Sequence, residues 1–122
     1  MKADAVLIAT LNPYQDAKGV KSYAGAKIQA MAMELMPRIT RAQSMDVLSS
    51  QSNLSGYKAV LDATAEYGRA LPMMMTAAGT IPAARVFVMG AGVAGLQAIA
   101  TAKRLGAIVS VSYTHLTLPT KA

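Results

Sequence analysis

The stretch that decides the fold is ARVFVMGAGVAGLQAIATAKRLGAIVSVSYTHLTLPTKA, residues 84–122. It opens on an apolar run, Arg85 to Met89, followed by Gly90-Ala91-Gly92-Val93-Ala94-Gly95. Val93 to Leu105 has helical character, Gly106 stands where a helix terminator belongs, and Ala107 to Val111 is a second apolar run. Strand, glycine turn, helix and strand form the context that gives G-x-G-x-x-G its meaning. Gly90 permits the strand-to-helix turn, Gly92 lets backbone approach a pyrophosphate, and Gly95 lets the helix close on the sheet. N–H groups around Val93 and Ala94, together with the helix dipole, then favour phosphate. A tight turn that binds nothing is the competing reading, and the full strand–helix–strand context favours the nucleotide. Such a unit closes on an Asp or Glu about 20 residues after the glycines, which holds the adenosine ribose. Here Tyr113 stands near that place, and no Asp or Glu follows Glu66.

Upstream, residues 5–11 (AVLIATL) read as a short strand stopped by Asn12-Pro13. Tyr14 to Ala26 is helix-compatible, Ile28 to Leu35 reads as a strand, and Pro37 ends it. Residues 38–53 (RITRAQSMDVLSSQSN) are polar and read as a loop with one helical turn. From Leu54 the positions Leu54, Tyr57, Val60, Leu61 and Ala65 follow helical spacing, with Ser52 or Asn53 as N-cap and Gly68 to Pro72 as the stop. Met73 to Met75 is an apolar triplet suited to packing, and Gly79 to Pro82 reads as a linker turn. No internal repeat is visible.

The 122 residues are 53% hydrophobic and 15% charged, which excludes a disordered segment and fits a core-rich globular chain. Six aromatic residues against nine Met leave core filling to Ala, Val, Leu, Ile and Met. Without cysteine there is neither a disulfide framework nor thiolate chemistry. The net charge of +6 does not make a nucleic-acid footprint. Residues 1–66 carry seven basic and six acidic groups, and the rest is the scattered set Arg69, Arg85, Lys103, Arg104 and Lys121. Loss of acidic sequence by truncation explains the excess better. No leader peptide or membrane span is evident, and the chain opens directly on a buried-type strand, as an internal piece of a longer protein would.

Neither a metal-ligand cluster, a paired-carboxylate arrangement, a Walker-type loop nor a nucleophile elbow is present, and His115 lies in the ill-fitting tail. Hydride transfer between two nicotinamides needs none of these, because the protein's task there is to position two rings. Arg38, Gln43, Asp46 and Ser49 in PRITRAQSMDVLSSQ are groups of the kind that hydrogen-bond a carboxamide and ribose hydroxyls. From spacing alone, a solvated loop carrying an N-cap is the better reading of that segment.

At this loop a family resemblance becomes specific. Residues 33–107, and above all the polar loop, PMMMTAAGT and GAGVAGLQAIATAKRLGA, closely resemble the alpha subunits of proton-translocating NAD(P) transhydrogenases, in the alanine dehydrogenase/transhydrogenase family. The likeness runs from about Val6 to about Val109 and concerns the NAD(H)-binding domain that lies outside the membrane. It implies an α/β, Rossmann-like fold of two subdomains, each with a parallel sheet flanked by helices. It also implies a parent enzyme that moves hydride from NADH to NADP⁺, coupled to proton passage through a separate membrane part. By the same resemblance, Arg38 and Gln43 lie near the nicotinamide, and Asp46 and Ser49 orient its carboxamide and ribose. Ser44 and Met45 supply the backbone between them. Gly90, Gly92 and Gly95 form the fingerprint, with Val93 beside the dinucleotide. NADP(H) belongs to a different domain of the complex, and no metal is implied.

The expected organisation is then the end of the first subdomain with the cleft loop (1–53), a connecting helix and linker (54–82), and the first βαβ of the NAD(H) subdomain (83–111). Residues 112–122 depart from the family's pattern. The ribose-holding Asp falls on Tyr113, and the tail reads as misread or fused DNA. The expected partners are the membrane domain, the NADP(H)-binding domain and a second copy of the parent domain. The expected place is the cytoplasmic side of a bacterial inner membrane, and the isolated piece is expected to be inactive. An alanine dehydrogenase fragment and a non-catalytic nucleotide sensor are the alternatives.

Overall fold

The computed structural model describes residue 2 and residues 4–112, and they form two compact units that divide between Ser50 and Gln51. The changed pattern expected at Tyr113 and the incidental role expected for His115 lie outside the described residues.

The first unit is a βαβ motif. Strand β1 (Val6–Ala9) leads through helix α1 (Ala17–Gly25) to β2 (Gln29–Ala32), and the strands pair in parallel with Val6 opposite Gln29 and Ala9 opposite Ala32. Asn12 turns the chain out of β1 with φ +47°, a left-handed conformation that asparagine tolerates better than most residues. Asp16 starts α1 by accepting the Gly19 N–H at 2.9 Å.

The strand expected over Ile28 to Leu35 stops at Ala32, and Met33–Leu35 is a 3₁₀ turn. A side-chain tether curls the chain here, since the Asn12 N–H donates to Glu34 Oε1 at 2.6 Å. The loop expected over 38–53 is more ordered than its composition suggests. Thr40–Met45 is a second 3₁₀ turn, and α2 (Val47–Tyr67) begins at Val47, seven residues before Leu54. Neither Ser52 nor Asn53 is its cap. Asp46 takes that role, accepting the Ser49 N–H at 3.0 Å.

In the second unit, β5 (Arg85–Met89), α3 (Val93–Arg104) and β6 (Ile108–Ser112) form another βαβ motif. The strands again pair in parallel, with Arg85 opposite Ile108 and Met89 opposite Ser112. Gly106, at φ +86°, ends α3 where the sequence placed a terminator. Side chains of β5 alternate in exposure, as a strand requires, and Val86 packs with Ala98, Leu105 and Val109 around buried Val60, Ala102 and Ala107. Small residues let α2 and α3 come close, so alanine builds this core. Ala102 is wholly buried. Ala102→Leu is therefore expected to lower stability by about 1–3 kcal/mol through overpacking. A urea-unfolding midpoint equal to that of the unsubstituted protein would reveal a void at Ala102 instead.

The Met triplet does not enter this core. Met74–Thr76 (β3) pairs antiparallel with Gly79–Ile81 (β4), and Met75 is 77% exposed. The linker turn expected at Gly79 is a strand, because the reversal falls earlier, at Ala77-Ala78. Thr76 Oγ1 closes that two-residue turn by accepting the Ala78 N–H at 3.3 Å and donating to the Gly79 carbonyl at 3.1 Å.

Candidate functional site

The polar loop of the first unit is built from the C-terminal end of β2. Pro37 cannot continue a hydrogen-bonded strand, and Ile39 begins the second 3₁₀ turn in extended conformation. The Ala42 N–H donates to the Ile39 carbonyl at 2.9 Å, and Ala42 is buried, which anchors the turn from inside. Arg38, Gln43, Asp46 and Ser49 then line one hollow of about 340 Å³, together with Pro37, Ile39 and Ala42. The structure thus gathers the four polar residues singled out in the sequence. Gln43 and Asp46 also line a second, more apolar hollow of about 500 Å³, shared with Ser44, Met45 and Met31.

Asp46 does two things at once. Its Oδ1 caps α2, and its Oδ2 accepts the Ser49 hydroxyl at 2.6 Å. The N-cap favoured from spacing alone is therefore present, at Asp46. Each carboxylate oxygen has two lone-pair sites, so the cap leaves acceptor capacity facing the hollow. The Ser49 hydroxyl, then the Ser49 N–H, and more weakly the positive charge of Arg38, hold the Asp46 carboxyl below its ordinary range.

That depression gives the pH dependence a definite sign. A depressed folded pKa means that the folded chain binds fewer protons, so the stabilisation is complete above the ordinary aspartate value of about 3.9. It is lost as pH falls through the lower folded value. Between neutral pH and about pH 3, the protein is expected to lose stability more steeply than Asp46→Asn, which cannot titrate there. Parallel acid limbs in denaturant unfolding would assign the cap no ionic character.

Sequence reasoning missed Glu34. Its carboxylate ties the turn after β1 to the segment leaving β2, and the Asn12 N–H is the largest cause that keeps it ionised below the usual glutamate range. The partner is 22 residues away, so no local pattern marks the pair.

The second unit holds the glycine turn. Gly90 has φ +102°, which other residues adopt only under strain, and its N–H donates to the Ser112 carbonyl at 2.8 Å. Gly92 is the N-cap of α3 without any side-chain cap, and the Leu96 N–H is the one that reaches the Gly92 carbonyl, at 2.8 Å. The N–H groups of Val93, Ala94 and Gly95 consequently have no acceptor within the helix. A Cβ on Gly95 would lie 2.1 Å from the Gly90 carbonyl oxygen, so the helix sits directly on the turn. Three outward amides at the positive end of a helix make a donor set that matches a phosphate.

Two family models cover the chain. Residues 1–55 match the N-terminal domain, and residues 59–118 the C-terminal domain, of alanine dehydrogenase/PNT. The chain is 64% identical, over 109 residues, to an NAD(P) transhydrogenase alpha subunit of Rhodospirillum rubrum, covering 89% of this chain and 28% of that protein. The subunit of the same name from Rickettsia prowazekii is 56% identical over the same shares. Among solved structures, a transhydrogenase from Sinorhizobium meliloti superposes with a TM-score of 0.89 at 67% identity, covering 93% of this chain and 33% of that one. The chain thus spans about 28% of the length of these two curated relatives. With a parallel βαβ motif in each unit and a family match on each side of residue 55, the chain belongs to the alanine dehydrogenase/PNT family.

Proposed function

We propose that this chain supplies the NAD(H) site of the alpha subunit of a proton-translocating NAD(P) transhydrogenase. The observation that carries the reading is the common hollow of Arg38, Gln43, Asp46 and Ser49, in a chain 64% identical to a transhydrogenase alpha subunit. Bound NADH supplies the hydride. The chain's own residues supply position. Gln43 offers both a donor and an acceptor to a carboxamide, and Asp46 offers acceptor capacity held in place by Ser49. Arg38 adds a fixed positive charge, and Ser44 and Met45 carry the backbone between these groups. In the second unit the amides of Val93 and Ala94, on the turn of Gly90, Gly92 and Gly95, suit the pyrophosphate. Nothing in this set moves a proton to or from a substrate, which agrees with direct hydride transfer and with NADP(H) held by another domain.

The membrane domain, the NADP(H)-binding domain and a second copy of the parent domain are the partners in this reading. Its location is the cytoplasmic face of a bacterial inner membrane. Among the described residues no helix is long and apolar enough to cross a membrane. In this reading proton passage belongs to the separate membrane domain. The test uses the whole subunit assembled with its membrane partner. Reduction of NADP⁺ by NADH is expected, without oxidative deamination of alanine. Alanine turnover would establish the dehydrogenase alternative, and NADH binding without either reaction would establish a sensor.

A further inference from the structure

We infer that Gly56 of α2 is a positioning residue for the phosphate-facing turn of α3. It is buried in the interior of α2, where glycine ordinarily costs helix stability. A Cβ built on it would lie 2.0 Å from the Ala94 carbonyl oxygen, 2.8 Å from the Ala94 carbonyl carbon and 3.0 Å from the Ala94 Cα. All three are backbone atoms, and an interior helical carbonyl is committed to its own helix's hydrogen-bond ladder, so nothing there can swing aside. The contact falls in the first turn of α3, whose amides face away from any intrahelical acceptor. One turn further along α2, and one and two turns further along α3, the packing continues, since Val60 shares the buried cluster with Ala98 and Ala102. Gly56 therefore sets how near α2 stands to the one turn of α3 that the proposed function gives to the pyrophosphate. The inference rests on that function.

A shift of about 1 Å in a positioning group is enough to cost two orders of magnitude in a well-fitted site. The test measures ADP-ribose binding to the full-length subunit by calorimetry, with thermal melting alongside. ADP-ribose carries the pyrophosphate and lacks the nicotinamide, so its binding depends on the α3 turn without any contribution from the carboxamide contacts of the polar loop. Gly56→Ala is expected to weaken ADP-ribose binding by about tenfold or more. Val60→Ala, which leaves a cavity in the same helix packing, is expected to lower the melting temperature while retaining affinity. If Gly56→Ala does not fold in dilute buffer, it is assayed at low temperature in a stabilising osmolyte beside the unsubstituted subunit, and folded protein with weak binding supports the inference. Wild-type affinity in folded Gly56→Ala overturns it. Absence of ADP-ribose binding by the unsubstituted subunit would instead remove the proposed function, and the inference with it.

Discussion

Gly95→Ala is expected to weaken dinucleotide binding about a hundredfold and to destabilise the second unit. Two effects oppose each other here. Alanine in place of a helical glycine gains up to about 1 kcal/mol of helix propensity. Against that, the new Cβ would sit 2.1 Å from the Gly90 carbonyl oxygen and 2.9 Å from its carbon. Gly90 cannot retreat cheaply, because its N–H is bonded to the Ser112 carbonyl at 2.8 Å and its φ of +102° already uses glycine's freedom. Overpacking of this kind costs about 1–3 kcal/mol, so the clash outweighs the propensity gain. The relief available is to lift α3 off the turn, which displaces the Val93 and Ala94 amides. NADH affinity of the full-length subunit is expected to fall about a hundredfold, with a lower melting temperature. A variant that binds NADH normally would show that α3 can ride outward without consequence for the ligand.

The second large effect is expected at Asp46, and it separates two roles carried by one carboxylate. Asp46→Ala removes the cap of α2, leaving the Ser49 N–H and hydroxyl without the acceptors they now hold at 3.0 and 2.6 Å. Loss of such a cap costs about 1 kcal/mol. Asp46→Asn keeps a capping oxygen and so is expected to keep more of the stability than Asp46→Ala at neutral pH, losing only the part that depends on the carboxylate charge. If Asp46 orients the nicotinamide, both variants lose hydride transfer, by about a hundredfold for alanine. NADH affinity is then expected to change little by comparison, because the proposed phosphate site on the glycine turn is left intact. A loss in turnover with binding retained is the signature of positioning. Equal activity of Asp46→Asn and the unsubstituted enzyme would reduce Asp46 to a helix cap.

Much of the fold could be read from local pattern. Val86 to Met89 is apolar, carries two β-branched valines and stops at Gly90, and the strand read from Arg85 to Met89 is β5 to the residue. α3 was legible for the same reason, with helical character between Gly92 and Gly106. The start of α2 was not. Its first turns carry Ser49, Ser50, Gln51, Ser52 and Asn53, a run whose polarity hides the helical period. The decisive signal is the Asp46-x-x-Ser49 pair, a cap that reads as ordinary loop chemistry until the hydrogen bonds are seen. The same polar run made the loop look solvated, whereas Ala42 anchors it and gathers four side chains around one hollow. Glu34 and Gly56 were out of reach. Each acts on a residue distant in sequence, Asn12 in one case and Ala94 in the other. Glycine in a helix looks like a weakness when its neighbour in space is unknown. Met73 to Met75 misled in the opposite sense, since hydrophobicity alone does not distinguish a core segment from an exposed hairpin.

The most direct test of the proposed site is a crystal structure of the full-length subunit with NADH bound. The expected result is a nicotinamide carboxamide within hydrogen-bond distance of Gln43 or Asp46, and a pyrophosphate on the amides of Val93 and Ala94. A dinucleotide whose nicotinamide lies away from Arg38, Gln43, Asp46 and Ser49, or whose phosphates avoid the first turn of α3, would contradict it.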